Sequence, residues 1–401
     1  MKSAHNPGPL VAPVESLSSR ELDRYARHLS LPGLGVEGQG RLRAASALVI
    51  GAGGLGAPVL NYLAAAGIGS ITIIDDDVVE ASNLQRQVLH RDADIGRAKV
   101  ESARDALLRL DPDRDVRTVA ERLSPANALE LFDSHDVVLD GADNFATRYL
   151  SNDAAELTGT PLVWGTIFRF AGQVSTFVPG HGPMLRDLFP DIPEADSVPN
   201  CAEGGVLGVL CGTVGSAMAT EAVKLICGIG TPLIGRLLRY DALEADYSTL
   251  RFSPDPDRRP VTDLAEVAVA CAAARPETAG ADEIDIEGYQ AGHAEKVLVD
   301  VRAEWERRLS SIPGSVPVPL EILQIEGWPA LAAMVESTPA EVVIHCKSGA
   351  RSAQAVQLLK DTAPDTVRLR SLAGGIDAWS ASGRETAQAA GQTSMPGSHH
   401  E

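Results

Sequence analysis

The sequence has few cysteines and no closely spaced cysteine pair. Its 401 residues include five cysteines, an odd number at irregular spacing and without a CxxC motif. A secreted fold held together by disulfides needs a larger and paired set, so this class of protein is excluded. Unpaired thiols fit a reducing compartment, and the sequence therefore predicts a cytoplasmic protein.

Positive charge is also scarce. The chain carries 35 Lys and Arg against 54 Asp and Glu, a formal net charge of −19. A surface of this sign repels a phosphate backbone, which excludes nucleic acid as a partner. The first residues contain three prolines and no continuous apolar run. They do not resemble a signal peptide, and we predict a disordered lead-in.

Two stretches lack charge, and each raises the question of a membrane span. In residues 47–74 glycines, Pro58 and Asn61 interrupt the apolar run, and the pattern is typical of a strand, a glycine turn, a helix and a second strand of a buried parallel sheet. Residues 204–220 are rich in Gly and Ala and are short for a span. They predict a helix packed against other elements or a subunit partner, so no membrane association is expected.

Strands and helices alternate along most of the chain. After a short helix at residues 20–29 and the unit at residues 47–74, the pattern predicts a helix at residues 99–110 and strands at residues 116–120 and 136–140. This order predicts an α/β fold, a Rossmann-like doubly wound parallel sheet that binds ligands at the carboxyl ends of its strands.

Composition divides the chain into five parts. Residues rich in Pro and Asp, followed by Ala-rich sequence, suggest a linker, and a second alternation of strands and helices follows it as a small α/β unit. The predicted parts are a disordered lead-in at 1–18, a first domain at 19–252, a linker at 253–281, a second domain at 282–386 and a disordered tail at 387–401.

The motif GAGGLG supplies the first candidate site. Gly51, Gly53 and Gly56 follow a strand and open a helix, where backbone can approach a phosphate and helix N–H groups are free. Asp75 ends the next strand, where a carboxylate can hold ribose hydroxyls. Taken alone, the motif favours NAD or FAD, and a glycine turn without a ligand is the alternative.

Charged residues beyond Asp75 change this interpretation. Asn83 and Arg86 lie in SNLQRQ, and Lys99 heads the next predicted helix. Two cations near a phosphate loop suit a triphosphate. Asp143 in GADN follows a predicted strand, where its carboxylate could hold Mg²⁺ beside the phosphates. Dehydrogenases need none of these groups, so the residues favour ATP.

In order and spacing, RYARH, GAGGLG, the Asp75 strand, SNLQRQVLH, the Lys99 helix and DGADN resemble the adenylating domain of the MoeB/ThiF superfamily, relatives of ubiquitin-activating enzymes. The resemblance covers residues 20–252. It implies adenylation of the C-terminal glycine of a ubiquitin-like sulfur-carrier protein that ends in Gly-Gly. The nucleotide-binding residues that it implies are Gly51, Gly53, Gly54, Gly56, Asp75, Asn83, Arg86, Lys99, Asp143, Asn144 and Arg27.

The resemblance also implies catalytic roles and an oligomeric state. Asp143 matches a catalytic aspartate linked to Mg²⁺, and Arg86 and Lys99 would offset charge on the triphosphate. Arg27, in RYARH, matches an arginine that reaches into the ATP site of a partner subunit in relatives. A homodimer is therefore expected.

A second candidate site lies in the loop HCKSGARS, where Cys346 directly follows a predicted strand and precedes a helix. Backbone N–H groups, the helix dipole, Lys347 and Arg351 would favour a thiolate there. The same groups could hold a persulfide or an anionic sulfur donor. A buried, inert cysteine at a strand end is the alternative.

This loop, with DVR at 300–302 and AGGIDAW at 373–379, resembles a rhodanese domain. The whole architecture resembles fusions of the MoeZ type and of the molybdenum cofactor synthesis protein 3 type. The resemblance implies that Cys346 carries a persulfide, taken from thiosulfate or a cysteine desulfurase, and that the product is a protein thiocarboxylate. The usual GHIPGA reads SSIPGS at 310–315, which leaves details of the donor site in doubt.

Two further features concern cysteines. Cys201, in VPNCAEGG, matches a cysteine proposed in relatives to act on the acylated carrier, and a partly buried structural thiol is the alternative. Relatives often bind a structural Zn²⁺ through two CxxC pairs, but the corresponding segments here read GPMLRDLFP and DPDRRPV. No structural zinc is predicted, and packing around Leu185, Leu188 and Phe189 is expected to hold the loop.

One rival function stays open from sequence. The chain could be an activating enzyme that only adenylates its carrier, or passes it as a thioester to Cys201, with a non-catalytic rhodanese module. The two functions differ in whether Cys346 is needed.

Overall fold

The computed structural model describes residues 7–193, 205–273, 282–291, 296–335 and 338–387. The chain forms two compact units, Met1–Arg275 and Pro276–Glu401. Cys201 lies outside the described residues, and so do residues 1–6 of the predicted lead-in and 388–401 of the predicted tail. Predictions for those positions stay predictions.

Eight strands form the central sheet of the first unit: β1 (Ser46–Ile50), β2 (Ser70–Ile74), β3 (Asp115–Val119), β4 (Val137–Asp140), β5 (Leu162–Phe168), β6 (Ala171–Phe177), β7 (Arg236–Asp241) and β8 (Asp246–Arg251). Their order in the sheet is β3-β2-β1-β4-β5-β6-β7-β8. The first five pair in parallel, which confirms the predicted α/β class. The last three extend the sheet by antiparallel pairing, which the sequence analysis did not foresee.

Ten helices accompany this sheet in the described residues: α1 (Ser19–Arg24), α2 (Ala26–Leu29), α3 (Gly35–Ala44), α4 (Gly56–Ala66), α5 (Lys99–Leu110), α6 (Ala128–Asp133), α7 (Phe145–Thr158), α8 (Leu185–Leu188), α9 (Gly208–Cys227) and α10 (Ala265–Ala273). Successive side chains of β1 lie on opposite faces of the sheet, and helices cover both faces. Val49 belongs to an apolar cluster with α4, α5 and α9, whereas Leu48 belongs to one with α6 and α7.

Of the helices in the described residues, α9 alone is long and apolar enough to cross a membrane. It packs within the first unit instead: Gly215 lies against Pro58 of α4, and Gly165 of β5 lies against Met218. The helix also carries Glu221, only 3% exposed, whose carboxylate accepts hydrogen bonds from the Thr176 hydroxyl and a backbone N–H. A charge satisfied by protein groups is what a helix in a protein core requires.

Parts of the predicted lead-in and of the predicted linker carry defined structure. Residues 7–18, predicted as part of a disordered lead-in, pack on the first unit: the Val14 N–H donates to the Gly40 carbonyl at 3.1 Å, and Leu10 and Val11 contact the apolar core. The predicted linker at 253–281 contains α10, where Val267 is fully buried against α7. Apolar side chains fix both segments because their burial outweighs the cost of ordering the chain.

Ion pairs join the two segments, GPMLRDLFP and DPDRRPV, at which no structural zinc is predicted. The Arg258 guanidinium donates to Asp187 at 2.9 Å and to both oxygens of Glu156 at 2.7 and 3.1 Å. Leu185 is buried, as expected, but Phe189 is 40% exposed. The predicted apolar packing is therefore only part of what holds this loop.

The second unit contains a parallel five-stranded sheet. Its strands are β9 (Glu283–Ile284), β10 (Lys296–Asp300), β11 (Val316–Pro317), β12 (Glu341–His345) and β13 (Arg368–Leu372), in the order β11-β10-β12-β13-β9. Its helices are α11 (Ile286–Ala291), α12 (Glu304–Leu309), α13 (Leu320–Glu326), α14 (Trp328–Ala332), α15 (Ala350–Lys360) and α16 (Gly375–Ala381). The central strand β12 is almost wholly buried and ends directly before Cys346.

Candidate active sites

The glycine turn of the first unit joins β1 to α4. Gly51 has a positive φ of 89°, a conformation that favours glycine. A Cβ on Gly56 would lie 1.9 Å from the Gly51 carbonyl oxygen, so the helix can begin there only with glycine. The Ala52 N–H donates to Asp75 at 2.8 Å, and His90 hydrogen-bonds to the Ala52 carbonyl at 2.9 Å. The turn is thus held from both sides.

A cavity of about 290 Å³ lies at the carboxyl ends of β1, β2 and β4. Eight of the predicted residues line it: Gly51, Gly53, Gly54, Asp75, Asn83, Arg86, Lys99 and Asp143. Three others do not. Gly56 packs the helix against the turn, Asn144 caps α7 by accepting from the Thr147 N–H at 2.9 Å, and Arg27 is exposed on α2. Arg27 therefore lies outside the cavity of its own chain.

Lys99 begins α5, as its sequence position predicts, and its ammonium is held in an ion pair. The Lys99 side chain is 7% exposed, and Nζ donates to the Asp77 carboxylate at 2.6 Å. The backbone N–H of Lys99 donates to the Asp77 carbonyl at 2.9 Å. Arg86 is half-buried and donates to the Ser82 carbonyl at 3.1 Å. Both cations therefore lie at the cavity in defined positions.

The surroundings of Asp75 disfavour the charged form of its carboxyl. Burial raises the pKa of its carboxyl, while the nearby Lys99 ammonium and the N–H groups of Ala52 and Asp77 act in the opposite direction. Asp75, Asp76 and Asp77 bring carboxylate oxygens within 4.8 Å of one another. This cluster is separate from Asp143, where the sequence analysis placed the metal.

Sequence reasoning missed several residues that line the cavity. Asp77 and Glu80 contribute carboxylates, and Gln87 and Arg148 contribute buried polar groups. The Arg148 guanidinium lies 5.8 Å from the ring centroid of Trp164, and its Nε donates to the Ala142 carbonyl at 3.2 Å. Arg148 follows Asn144 by one helical turn, a spacing that could have revealed it.

The sulfur site of the second unit is built around Cys346, which is 1% exposed. The Gly349 N–H donates to Sγ at 3.1 Å, and Gly349 has a φ of 111°. Directly after this residue α15 begins, so the positive end of its dipole adjoins the sulfur. One backbone donor, the Gly349 N–H, therefore contacts Sγ at the start of a helix.

The segment AGGIDAW closes this site from the other side. The Ile376 N–H donates to the Cys346 carbonyl at 3.0 Å, and the Asp377 N–H donates to the Lys347 carbonyl at 3.1 Å. Gly375 has a φ of 55°, and a Cβ there would lie 2.6 Å from the Cys346 carbonyl oxygen. The glycines are needed because two backbone segments approach closely.

Arg351 contacts a partner that the sequence analysis did not name. Its guanidinium donates to both oxygens of Glu306 on α12, at 2.7 and 2.8 Å. Burial alone would raise the pKa of Glu306, but the ion pair with Arg351, the Ala303 N–H and the charge of Arg302 together lower it. The positive charge of Arg351 is therefore partly balanced by Glu306 rather than directed wholly at sulfur.

The DVR motif at 300–302 makes buried hydrogen bonds near the sulfur site. Asp300 is fully buried and accepts from Arg302 at 3.0 and 2.8 Å, and Arg302 also donates to the Ser310 carbonyl at 2.7 Å. This contact fixes the start of SSIPGS. His345, also fully buried, lies 3.6 Å from Asp300, and burial lowers its pKa to about 4. DVR thus acts on structure rather than on sulfur directly.

Both units match known families. Residues 25–261 match the ThiF family, and residues 286–382 match the rhodanese-like domain. The chain therefore belongs to the ThiF family and carries a rhodanese-like domain that follows the ThiF region in the sequence. Its class is that of an adenylyltransferase and sulfurtransferase.

Curated relatives share this architecture. The chain is 47% identical to the probable adenylyltransferase/sulfurtransferase MoeZ of Mycobacterium tuberculosis over 382 residues, 92% of this chain and 96% of the relative. It is 39% identical to adenylyltransferase and sulfurtransferase MOCS3 of Bos taurus over 398 residues, 92% and 88% of the two chains. The SAMP-activating enzyme E1 of Haloferax volcanii is 51% identical over 242 residues, 60% of this chain and 89% of that one.

A solved structure supports the fold of the first unit. E. coli MccB, in a crystal structure with ATP, aligns with a TM-score of 0.53 and 21% identity over 60% of this chain and 75% of MccB. At this level of identity the likeness concerns the fold alone.

Proposed function

We propose that this enzyme adenylates the C-terminal glycine of a ubiquitin-like sulfur-carrier protein and then converts that glycine to a thiocarboxylate with sulfur carried on Cys346. The observation that supports this most is the presence, in one chain, of a glycine turn at a cavity lined by two basic side chains and of a buried cysteine with a backbone donor on its sulfur. The proposed carrier fits the names of relatives, which include a sulfur carrier protein adenylyltransferase of Thermus thermophilus.

The charges around the cavity support a nucleotide bound with a divalent cation. Its acidic lining residues are Asp75, Asp77, Glu80 and Asp143, against the basic residues Arg86, Lys99 and Arg148. Four acids and three bases do not by themselves compensate a triphosphate. Mg²⁺ at Asp143 would supply that compensation, and a carboxylate oxygen is the donor that Mg²⁺ prefers.

In the first step, the carrier's carboxylate attacks the α-phosphorus of ATP. An acyl–phosphate bond forms, the bond to the pyrophosphate breaks, and pyrophosphate leaves with the electron pair. Arg86 and Lys99 lower the like-charge repulsion during attack and offset the charge that develops on pyrophosphate.

In the second step, sulfur reaches the acyl carbon. The Cys346 persulfide attacks the adenylate carbonyl, AMP leaves, and an acyl disulfide links the carrier to Cys346. A second thiolate then attacks Cys346 Sγ, the S–S bond breaks, and the carrier leaves as a thiocarboxylate. Cys201 or an external thiol supplies this thiolate and is oxidised to a disulfide with Cys346, which a further thiol must reduce before the next turnover.

Sulfur loading precedes these steps. The Cys346 thiolate attacks the sulfane sulfur of thiosulfate, and sulfite leaves with the electron pair. A cysteine desulfurase is the other candidate donor. The exposed Lys347 beside Cys346 is suited to attract an anionic donor.

We propose a homodimer in the cytoplasm, and Arg27 supports the dimer. Arg27 is exposed and absent from the cavity of its own chain, although Tyr25 beside it is 3% exposed and anchors the RYARH segment. An arginine held at the surface in this way can act on the nucleotide of a second copy. Arg27→Ala should lower adenylation without changing sulfur loading of Cys346.

The test is pyrophosphate exchange into ATP in the presence of a Gly-Gly-ended carrier. The native enzyme and Cys346→Ala should both catalyse exchange, and Lys99→Ala should lower it at least about 100-fold, since it loses a cation that faces the phosphates. Exchange that does not depend on the carrier would overturn the assigned substrate.

The rival activating-enzyme function gives a different result. It predicts a carrier thioester on Cys201 that forms in Cys346→Ala and is lost in Cys201→Ala. The proposed function predicts that thiocarboxylate formation is lost in Cys346→Ala.

A further inference from the structure

Two buried serines lie behind the sulfur of Cys346. Ser352, on the first turn of α15, and Ser371, on β13, are 0% and 1% exposed. The Ser352 hydroxyl lies 3.6 Å from Cys346 Sγ, 2.8 Å from the Gly349 carbonyl oxygen and 2.8 Å from the Ser371 hydroxyl. Three acceptors thus surround one hydroxyl inside the protein.

The number of hydroxyl hydrogens limits which of these hydrogen bonds can form at the same time. A serine hydroxyl carries one hydrogen and can also accept. Among the described residues the Ser371 hydroxyl hydrogen-bonds to Ser352 alone. Ser371 therefore donates to Ser352. The single hydroxyl hydrogen of Ser352 can then be donated either to the Gly349 carbonyl or to Cys346 Sγ.

The charge on sulfur decides between them. A neutral carbonyl at 2.8 Å is the better acceptor while Cys346 is a thiol. A hydrogen bond to an anion is about twice as strong as one between neutral groups, and burial increases that difference. When Cys346 ionises, rotation of one hydroxyl brings the Ser352 hydrogen to Sγ.

We propose that Ser352 and Ser371 form a hydroxyl relay that stabilises the Cys346 thiolate for sulfur loading. Ser352 is the catalytic residue because it touches the reacting sulfur, and Ser371 is a positioning residue because it acts through Ser352. Together with the Gly349 N–H, the relay gives the thiolate two donors, one from the backbone and one from a side chain. The relay rests on the proposed role of Cys346 as the sulfur carrier.

The position of Ser371 is fixed by the sheet. Its Cα pairs with Ile344 of β12, two residues before Cys346. Its backbone N–H donates to the Asp282 carbonyl at 2.7 Å. The relay therefore links β13 and α15 to the sulfur of Cys346, which directly follows β12.

The experiment measures alkylation of Cys346 by iodoacetamide in the full-length protein between pH 5 and pH 10, read from the Cys346 peptide by mass spectrometry. Ser352→Ala should move the pH of half-maximal rate upward by about one unit, because the thiolate loses a charge-assisted donor. Ser371→Ala should move it in the same direction by less. Ser380→Ala removes an exposed hydroxyl from α16 of the same unit and should match the native profile.

Persulfide loading from thiosulfate, seen as a gain of about 32 mass units on the enzyme, should slow about tenfold in Ser352→Ala at neutral pH. The double variant Ser352→Ala with Ser371→Ala leaves no buried hydroxyl unpaired and should show the shift of Ser352→Ala in a fully folded protein. Unchanged pH profiles in all three variants would overturn the relay. Thiocarboxylate formation by Cys346→Ala would instead overturn the proposed function itself.

Discussion

At the scale of single residues, the glycines of GAGGLG do different work although one motif contains them. Gly56 has no room for a side chain, since a Cβ would lie 1.9 Å from backbone oxygen. Gly53 has room, because the nearest atom to its Cβ would be a Gln87 side-chain nitrogen at 3.5 Å. Gly56 is needed for the fold, whereas Gly53 leaves the space that the proposed approach of a phosphate would use.

Replacing these glycines should separate the two needs. Gly56→Ala should lower the melting temperature of the first unit and abolish ATP binding, because backbone must move to relieve the overlap. Gly53→Ala should keep the native melting temperature and weaken ATP binding about tenfold or more. Calorimetry and ATP titration measure both quantities, and equal melting temperatures in the two variants would contradict this distinction.

His345 makes the stability of the second unit depend on pH. Burial lowers its pKa to about 4, whereas in the unfolded chain it titrates near the ordinary value of 6.5. The unfolded state thus binds a proton first as the pH falls, and stability is lost between about pH 6.5 and pH 4.

Protonation of His345 in the unfolded chain should lower the free energy of unfolding by about 3 kcal/mol over that range. His345→Gln should show a shallower fall in melting temperature with decreasing pH than the native protein. His181→Gln, at an exposed histidine, should keep the native slope. Parallel curves for the native protein and His345→Gln would show that His345 is not the group responsible.

At the scale of elements, helix α7 connects the nucleotide site to the segment of α8. Its start carries Asn144 and Arg148, and its later turns carry Asp153 and Glu156. Asp153 accepts two hydrogen bonds from Arg186 at 2.8 Å, and Glu156 pairs with Arg258. The later turns of α7 therefore hold both the α8 segment and the segment around Arg258.

Arg258→Ala should destabilise the first unit by roughly 3 kcal/mol, because it leaves the nearly buried Asp187 carboxylate without its cation. Hydrogen exchange should increase in residues 184–191. Arg122→Ala, which breaks an exposed pair with Asp76, should cost less than about 1 kcal/mol. Equal stability of the two variants would mean that the loop is held by apolar packing alone.

Local motifs were predictable and long-range pairings were not. Lys99–Leu110 is the helix that its apolar spacing predicts, and eight of the predicted nucleotide residues line one cavity because each follows a strand of the same sheet. The antiparallel pairs β5–β6 and β7–β8 are joined by short turns, without the helix that marks a parallel connection in the sequence. The Arg351–Glu306 pair joins residues 45 positions apart, and Ser371 reaches the sulfur from another strand, so neither contact leaves a local pattern.

At the scale of the whole molecule, the chain places an activating chemistry and a sulfur chemistry in two separately compact units. An acyl-adenylate is useful to the second unit only if its persulfide can attack it, so the central claim is that both steps act on one carrier. The carrier's final mass reports both steps at once, because adenylation alone leaves no lasting mass change after hydrolysis.

The most direct measurement is the intact mass of a Gly-Gly-ended carrier after incubation with the enzyme, MgATP and thiosulfate. The account predicts a gain of about 16 mass units, oxygen replaced by sulfur, that requires ATP and disappears in both Lys99→Ala and Cys346→Ala. Pyrophosphate release without this gain, or the same gain in Cys346→Ala, would contradict it.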